Sequence, residues 1–101
     1  MTYAELFELI LEKPGKYVGN CRIERFRAYM DGYIYAKWEA GEFVEGDLYH
    51  GFSTWVGARF ELGASRDWVN IINFMSGSEE SAYELTKQLW SEYKDTSGSR
   101  A

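Results

Sequence analysis

The sequence predicts an all-α single domain of about five helices, and three observations carry that prediction. Apolar residues recur at three- and four-residue steps through most of the chain. Four of the five apolar runs follow a residue able to cap a helix, namely Thr2, Asp47, Ser65 and Ser78. Glycine-containing turns, one of them holding the single proline, Pro14, separate the runs. A chain of 101 residues forms one domain. At this size, folding buries about 65% of the unfolded surface, enough for one core.

The elements follow in order. Thr2 and Glu5 have the spacing of a capping box, and Leu6, Phe7, Ile10 and Leu11 line one face, which predicts a helix over 2–12. Pro14 and Gly15 stop it. Ile23, Phe26, Met30, Tyr33 and Ile34 predict a second helix over 22–38. Gly32 sits inside that helix at a cost of about 1 kcal/mol relative to Ala, which close packing of another backbone would justify. A strand near 33–38 is the alternative, given the β-favouring Tyr33-Ile34-Tyr35.

Two glycines and four acids mark 39–47 as a loop, after which Phe52, Trp55, Val56 and Phe60 predict a third helix over 48–62, ended by Gly63. Ser65 is positioned to cap a fourth, with Asp67 in its first turn. Trp68, Val69, Ile71, Ile72, Phe74 and Met75 make that segment apolar on nearly all sides, so it is expected to be the central element, with a buried strand at 68–74 as the rival. Ser78 caps a last helix over 79–94, buried through Ala82, Leu85, Leu89, Trp90 and Tyr93. The domain is placed at 1–95, and the small polar tail 96–101 is expected to be disordered.

Charge narrows the function classes. Net charge is −5, which disfavours nucleic-acid and anionic-membrane partners, since both need a basic face. Arg22, Arg25 and Arg27 beside Phe26 and Tyr29 form the one basic cluster, and a solvated helix face accounts for it better than RNA binding. Cys21 is the single cysteine and cannot form an internal disulfide, which suits a reducing cytoplasm. No signal peptide is read at the start, and no run approaches the roughly 20 apolar residues of a membrane span.

No convincing catalytic constellation appears. His50 is the single histidine; Asp47 lies three residues before it, but nothing completes a triad. One His and one Cys fall short of a zinc set, so no metal or cofactor is expected. Glu79, Glu80 and Glu84 suit the first turns of a helix better than acid–base chemistry. Gly15 to Gly19 lacks the ending of a phosphate loop.

The acidic loop is the strongest binding candidate. Glu39, Glu42, Glu45 and Asp47 fall in a stretch without Lys or Arg, and Trp38, Phe43 and Tyr49 stand among or beside them. Clustered carboxylates can mimic a phosphate backbone in a basic groove and steer association, and an aromatic anchor can fill a dry interface centre. Some of the 18% aromatic residues would then serve a surface, while most fill the core.

The turn Lys13-Pro14-Gly15-Lys16-Tyr17-Val18-Gly19 after an amphipathic helix, with Gly32-Tyr33 and Trp55-Val56 downstream, resembles small bacterial immunity proteins of polymorphic toxin and contact-dependent inhibition systems. Lys13 and Lys16 depart from the arginine and methionine common in that turn. The resemblance implies a helical fold and cytoplasmic neutralisation of a cognate toxin, without naming the toxin. The expectation is therefore a non-catalytic inhibitor that blocks a basic nuclease through Trp38, Glu39, Glu42, Phe43, Glu45, Asp47 and Tyr49. A general adaptor domain is the alternative, and an apolar patch could equally serve a homodimer.

Overall fold

A computed structural model describes residues 2–42, 47–62 and 67–97. Among these residues the fold is all-α, with six α-helices and no strand. Helix α1 (Tyr3–Glu12) starts as its sequence dictates. The Glu5 amide donates to the Thr2 hydroxyl at 3.1 Å, and the Thr2 amide donates back to the Glu5 carboxylate at 3.2 Å. The Thr2 backbone amide, then its hydroxyl, hold the Glu5 carboxyl below its ordinary range.

Pro14 does more than end α1: it opens a one-turn helix, α2 (Pro14–Tyr17). Proline suits a first helical position because no amide is needed there. Gly19, at φ 84°, then turns the chain in the left-handed region. Helix α3 (Ile23–Glu39) runs unbroken, so the strand alternative near 33–38 does not hold. Gly32 lies on its exposed side with open space where a Cβ would stand, so close backbone packing is not the reason for it.

The predicted third helix is two pieces, a 3-10 turn (Leu48–Gly51) and α4 (Phe52–Arg59). The glycine at the junction has a steric reason. A Cβ on Gly51 would stand 2.6 Å from the Tyr93 hydroxyl, which itself donates to the Leu48 carbonyl. Helix α4 ends at Arg59, and Glu61 takes a left-handed φ of 58°. Gly63 and Ser65, the predicted stop and cap, lie outside the described residues. Helix α5 (Trp68–Met75) is capped by Asp67 itself, whose carboxylate accepts from the Asn70 amide at 3.1 Å.

Trp68, Val69, Ile71 and Ile72 are buried, but Phe74 is 72% exposed and Met75 is exposed with it. The expectation of burial on all sides is thus corrected. Asn70, Asn73 and Phe74 share an outward stripe at three- and four-residue spacing, and a helix of 8 residues still has two faces. The rival strand at 68–74 is not formed. Helix α6 (Glu79–Ser97) begins at Ser78, whose hydroxyl accepts from the Ser81 amide at 3.1 Å. It continues through Thr96 and Ser97, so the expected tail is helical at its start, and 98–101 lie outside the described residues.

Aromatic rings fill the core. Phe7 of α1 contacts Tyr49, Phe52, Trp68 and Trp90, with ring centroids 5.0, 6.1, 5.4 and 4.9 Å away. Edge-to-face and tilted ring pairs of this kind contribute about 0.5–1.5 kcal/mol beyond their buried area. Polar tips of the rings find partners at the edge: the Trp90 indole donates to the Glu8 carboxylate at 3.1 Å, and the Tyr83 hydroxyl donates to the Leu11 carbonyl. Lys94 pairs with the same Glu8 at 2.7 Å, fastening α6 to α1. No helix among the described residues is long and apolar enough to cross a membrane.

Candidate functional site

The seven residues singled out in the sequence separate into three groups. Trp38, Glu39 and Glu42 are exposed at the C-terminal end of α3. Asp47 and Tyr49 belong to the internal framework. Phe43 and Glu45 lie outside the described residues.

Asp47 is a clasp and not a surface acid. Its Oδ2 accepts from the Tyr3 amide at 3.1 Å, and its Oδ1 accepts from the Ala4 amide at 3.1 Å and the Tyr49 amide at 3.0 Å. One carboxylate thereby satisfies the opening amides of α1 and caps the 3-10 turn. Tyr49 is 8% exposed and packs on Phe7, so its ring is not offered to a partner. Burial raises the pKa of its hydroxyl, with the Asp31 and Asp67 charges adding to the rise against Trp68 and Arg27.

The exposed group is held firmly. Gly41, at φ 76°, closes α3. The Glu42 amide donates to the Lys37 carbonyl at 2.8 Å and the Gly41 amide to the Trp38 carbonyl at 3.0 Å, the paired bonds of a Schellman cap. Trp38 is 60% exposed, as is Tyr35, and their ring centroids lie 6.0 Å apart. Glu39 and Glu42 flank this pair, with Glu42 reaching Lys37 at 3.7 Å. The helix C-terminus adds partial negative charge to the same spot. Sequence reasoning missed Tyr35, although Asp31, Tyr35 and Trp38 recur at four- and three-residue steps off the apolar face.

A second feature joins residues far apart in sequence. A cleft of about 320 Å³ opens between α3, the 3-10 turn, α4 and the start of α5. Its wall includes Ile34, Tyr49 and Trp68, and its polar groups are Arg27, Asp31, Asp67, His50 and Ser53. Arg27 spans the site: its Nη1 meets Asp67 at 2.6 Å and its Nε meets Asp31 at 3.5 Å. Ser53 accepts from the Trp68 amide at 3.1 Å. Tyr3, whose ring stands edge-on to His50 at 5.2 Å, keeps a buried hydroxyl without a hydrogen-bond partner.

The basic cluster is consumed by the fold. Arg22 pairs with Glu24 and Glu79 at 3.3 and 3.2 Å, Arg25 donates to the Val18 carbonyl at 3.3 Å, and Arg27 holds the cleft. No group of His, Cys, Asp and Glu among the described residues is arranged to hold a metal ion. No protein-family model, curated protein or solved structure matches this chain.

Proposed function

We propose that this chain is a protein-binding domain of immunity type, which neutralises a basic toxin by covering it with the acidic, aromatic end of α3. The observation that carries this reading is the exposed Trp38–Tyr35 pair on a capped, rigid helix end. These two adjoining rings are left on the surface, each 60% exposed, and covering them with a partner would remove their apolar area from water, at about 25 cal/mol per Å². Trp and Tyr are the side chains that most often anchor interfaces. Glu39, Glu42 and a net charge of −5 suit a basic partner such as a nuclease groove, and they would accelerate its capture. The Lys13–Gly19 turn, with its likeness to immunity proteins, points the same way. On this reading inhibition is stoichiometric and takes place in the cytoplasm.

Co-expression tests it. The C-terminal domain encoded beside this gene is produced with and without this protein, and survivors are counted. Rescue is expected, and Trp38→Ala should weaken binding by about 2 kcal/mol or more, the scale of an interface anchor. Glu39→Lys with Glu42→Lys should abolish rescue. Asp47 is left untouched, because its loss would disturb α1. Full protection by both folded variants refutes the surface assignment. Toxicity without rescue by the native chain removes the immunity reading and leaves an adaptor domain.

A further inference from the structure

We propose that the outward face of α3 is a homodimer interface, on which the same helix of a second copy packs antiparallel, Gly32 over Gly32. Two exposed rings and two opposite charges define this face. Successive residues of a helix are turned by about 100°, which places Gly32 on the centre line of the exposed side. Arg25 and Glu39, two turns before and two turns after it, return to within about 20° of that line, and both are exposed. Tyr29 and Tyr35 stand about 60° to opposite sides, 38% and 60% exposed. Between them the surface is low, because Ala28 and Ala36 are its other members.

The face is complementary to itself in one direction. When two such helices run antiparallel about Gly32, residues equally far before and after it come to the same height. Arg25 then meets Glu39 of the second copy and Glu39 meets its Arg25, two opposite-charge contacts from one symmetric placement. The Tyr35 ring falls over Ala28 of the second copy and the Tyr29 ring over its Ala36, large on small each time. A parallel pairing sets Arg25 beside Arg25 and Glu39 beside Glu39, which repel. Arg25 engages the Val18 carbonyl through Nη1 at 3.3 Å, and its fork carries further donors. The acids on the flank are matched inside the chain, Glu24 by Arg22 at 3.3 Å and Asp31 by Arg27 at 3.5 Å. Glycine weakens a helix interior, and no neighbour within the chain uses the space at Gly32; a second backbone laid there would. Helix α3 has 17 residues, about 25 Å, a footprint at the small end for a specific interface, so a weak dimer is expected. Trp38, about 120° from Gly32, stays at the rim. Tyr35 and Glu39 are shared with the surface proposed for a basic toxin, so a second copy competes with that partner. The dimer itself requires no toxin and is measured on the isolated chain.

Sedimentation equilibrium of the full chain from about 10 µM to about 1 mM, the range of a small interface, is the test. A monomer–dimer equilibrium is expected. Gly32→Leu should weaken it about tenfold or more, while circular dichroism shows a monomer at least as stable, since the side chain has open space there and leucine favours a helix. Arg25→Glu and Glu39→Arg should each weaken the dimer about tenfold, and the two together should restore it. In a Cys21→Ser background, Ala28→Cys mixed with Ala36→Cys should cross-link under mild oxidation, and neither should cross-link alone. A chain that is monomeric throughout overturns the proposal and leaves the face to a different partner. A dimer indifferent to Gly32→Leu, a double charge reversal as weak as the single ones, or cross-linking of Ala36→Cys with itself overturns it equally.

Discussion

Replacing Asp47 by alanine is the most demanding test of the fold as described. The carboxylate accepts three backbone amides, from Tyr3, Ala4 and Tyr49, at 3.0 to 3.1 Å. Net values for hydrogen bonds to a charged group are about 1.5–3 kcal/mol each when the donors are shielded. These donors are part-buried, and water can partly replace the lost acceptor, so the three together are worth roughly 3 kcal/mol in Asp47→Ala. That is a large share of the ~5–15 kcal/mol that holds a domain folded. It corresponds to a fall in Tm of about 12–24 °C at this chain length. Asparagine separates charge from geometry. Its Oδ1 can still accept from Ala4 and Tyr49, but its Nδ2 would face the Tyr3 amide donor to donor, so about half of the loss is expected. Urea unfolding followed by circular dichroism measures both variants, and amide exchange at Tyr3 and Ala4 reports the opened helix start. A cost below about 1 kcal/mol for Asp47→Ala, that of an ordinary exposed cap, refutes the clasp.

Other outcomes follow from the same packing. Gly51→Ala should destabilise by about 1–3 kcal/mol through its clash with Tyr93, and Tyr93→Phe in that background should recover part of the loss in denaturant titrations. Tyr3→Phe should leave stability unchanged or raise it by up to ~1 kcal/mol, because the deleted hydroxyl is buried without a partner; a clear loss in thermal unfolding would show that this hydroxyl has one. Burial raises the phenol pKa of Tyr49, Tyr83 and Tyr93. A raised folded pKa means full stability below the unfolded value, 10.0, and loss as pH climbs toward the folded values. Ultraviolet pH titration should therefore show these three ionising only above the ordinary phenol value, together with unfolding. Ionisation of Tyr49, Tyr83 and Tyr93 at the ordinary phenol value, with the fold intact, contradicts the burial.

Much of the fold is local chemistry, and so it was legible. The Thr2–Glu5 box, the Asp47 and Ser78 caps and the periodicity of α1, α3 and α6 are short-range patterns, and each appears in the structure. The site was less legible. Trp38, Glu39 and Glu42 sit where an exposed helix end presents them, but the same acidic, aromatic stretch also contains Asp47 and Tyr49, which serve the interior. Composition treats all five alike. Asp47 differs because the α1 amides, more than forty residues away in sequence, come to rest against it.

The sequence by itself determined that this protein is a single helical domain with an acidic surface, because turn chemistry and apolar spacing act within a few residues of each other. Only the tertiary structure decided which acids are surface and which are clasps, and that Phe74 faces outward. It also divided the 48–62 segment into a 3-10 turn and α4, set Gly51 against Tyr93, and brought Arg27, Asp31 and Asp67 to one cleft. Those outcomes depend on which distant groups compete for the same space and the same hydrogen bonds. That competition is settled by packing, which no local pattern contains.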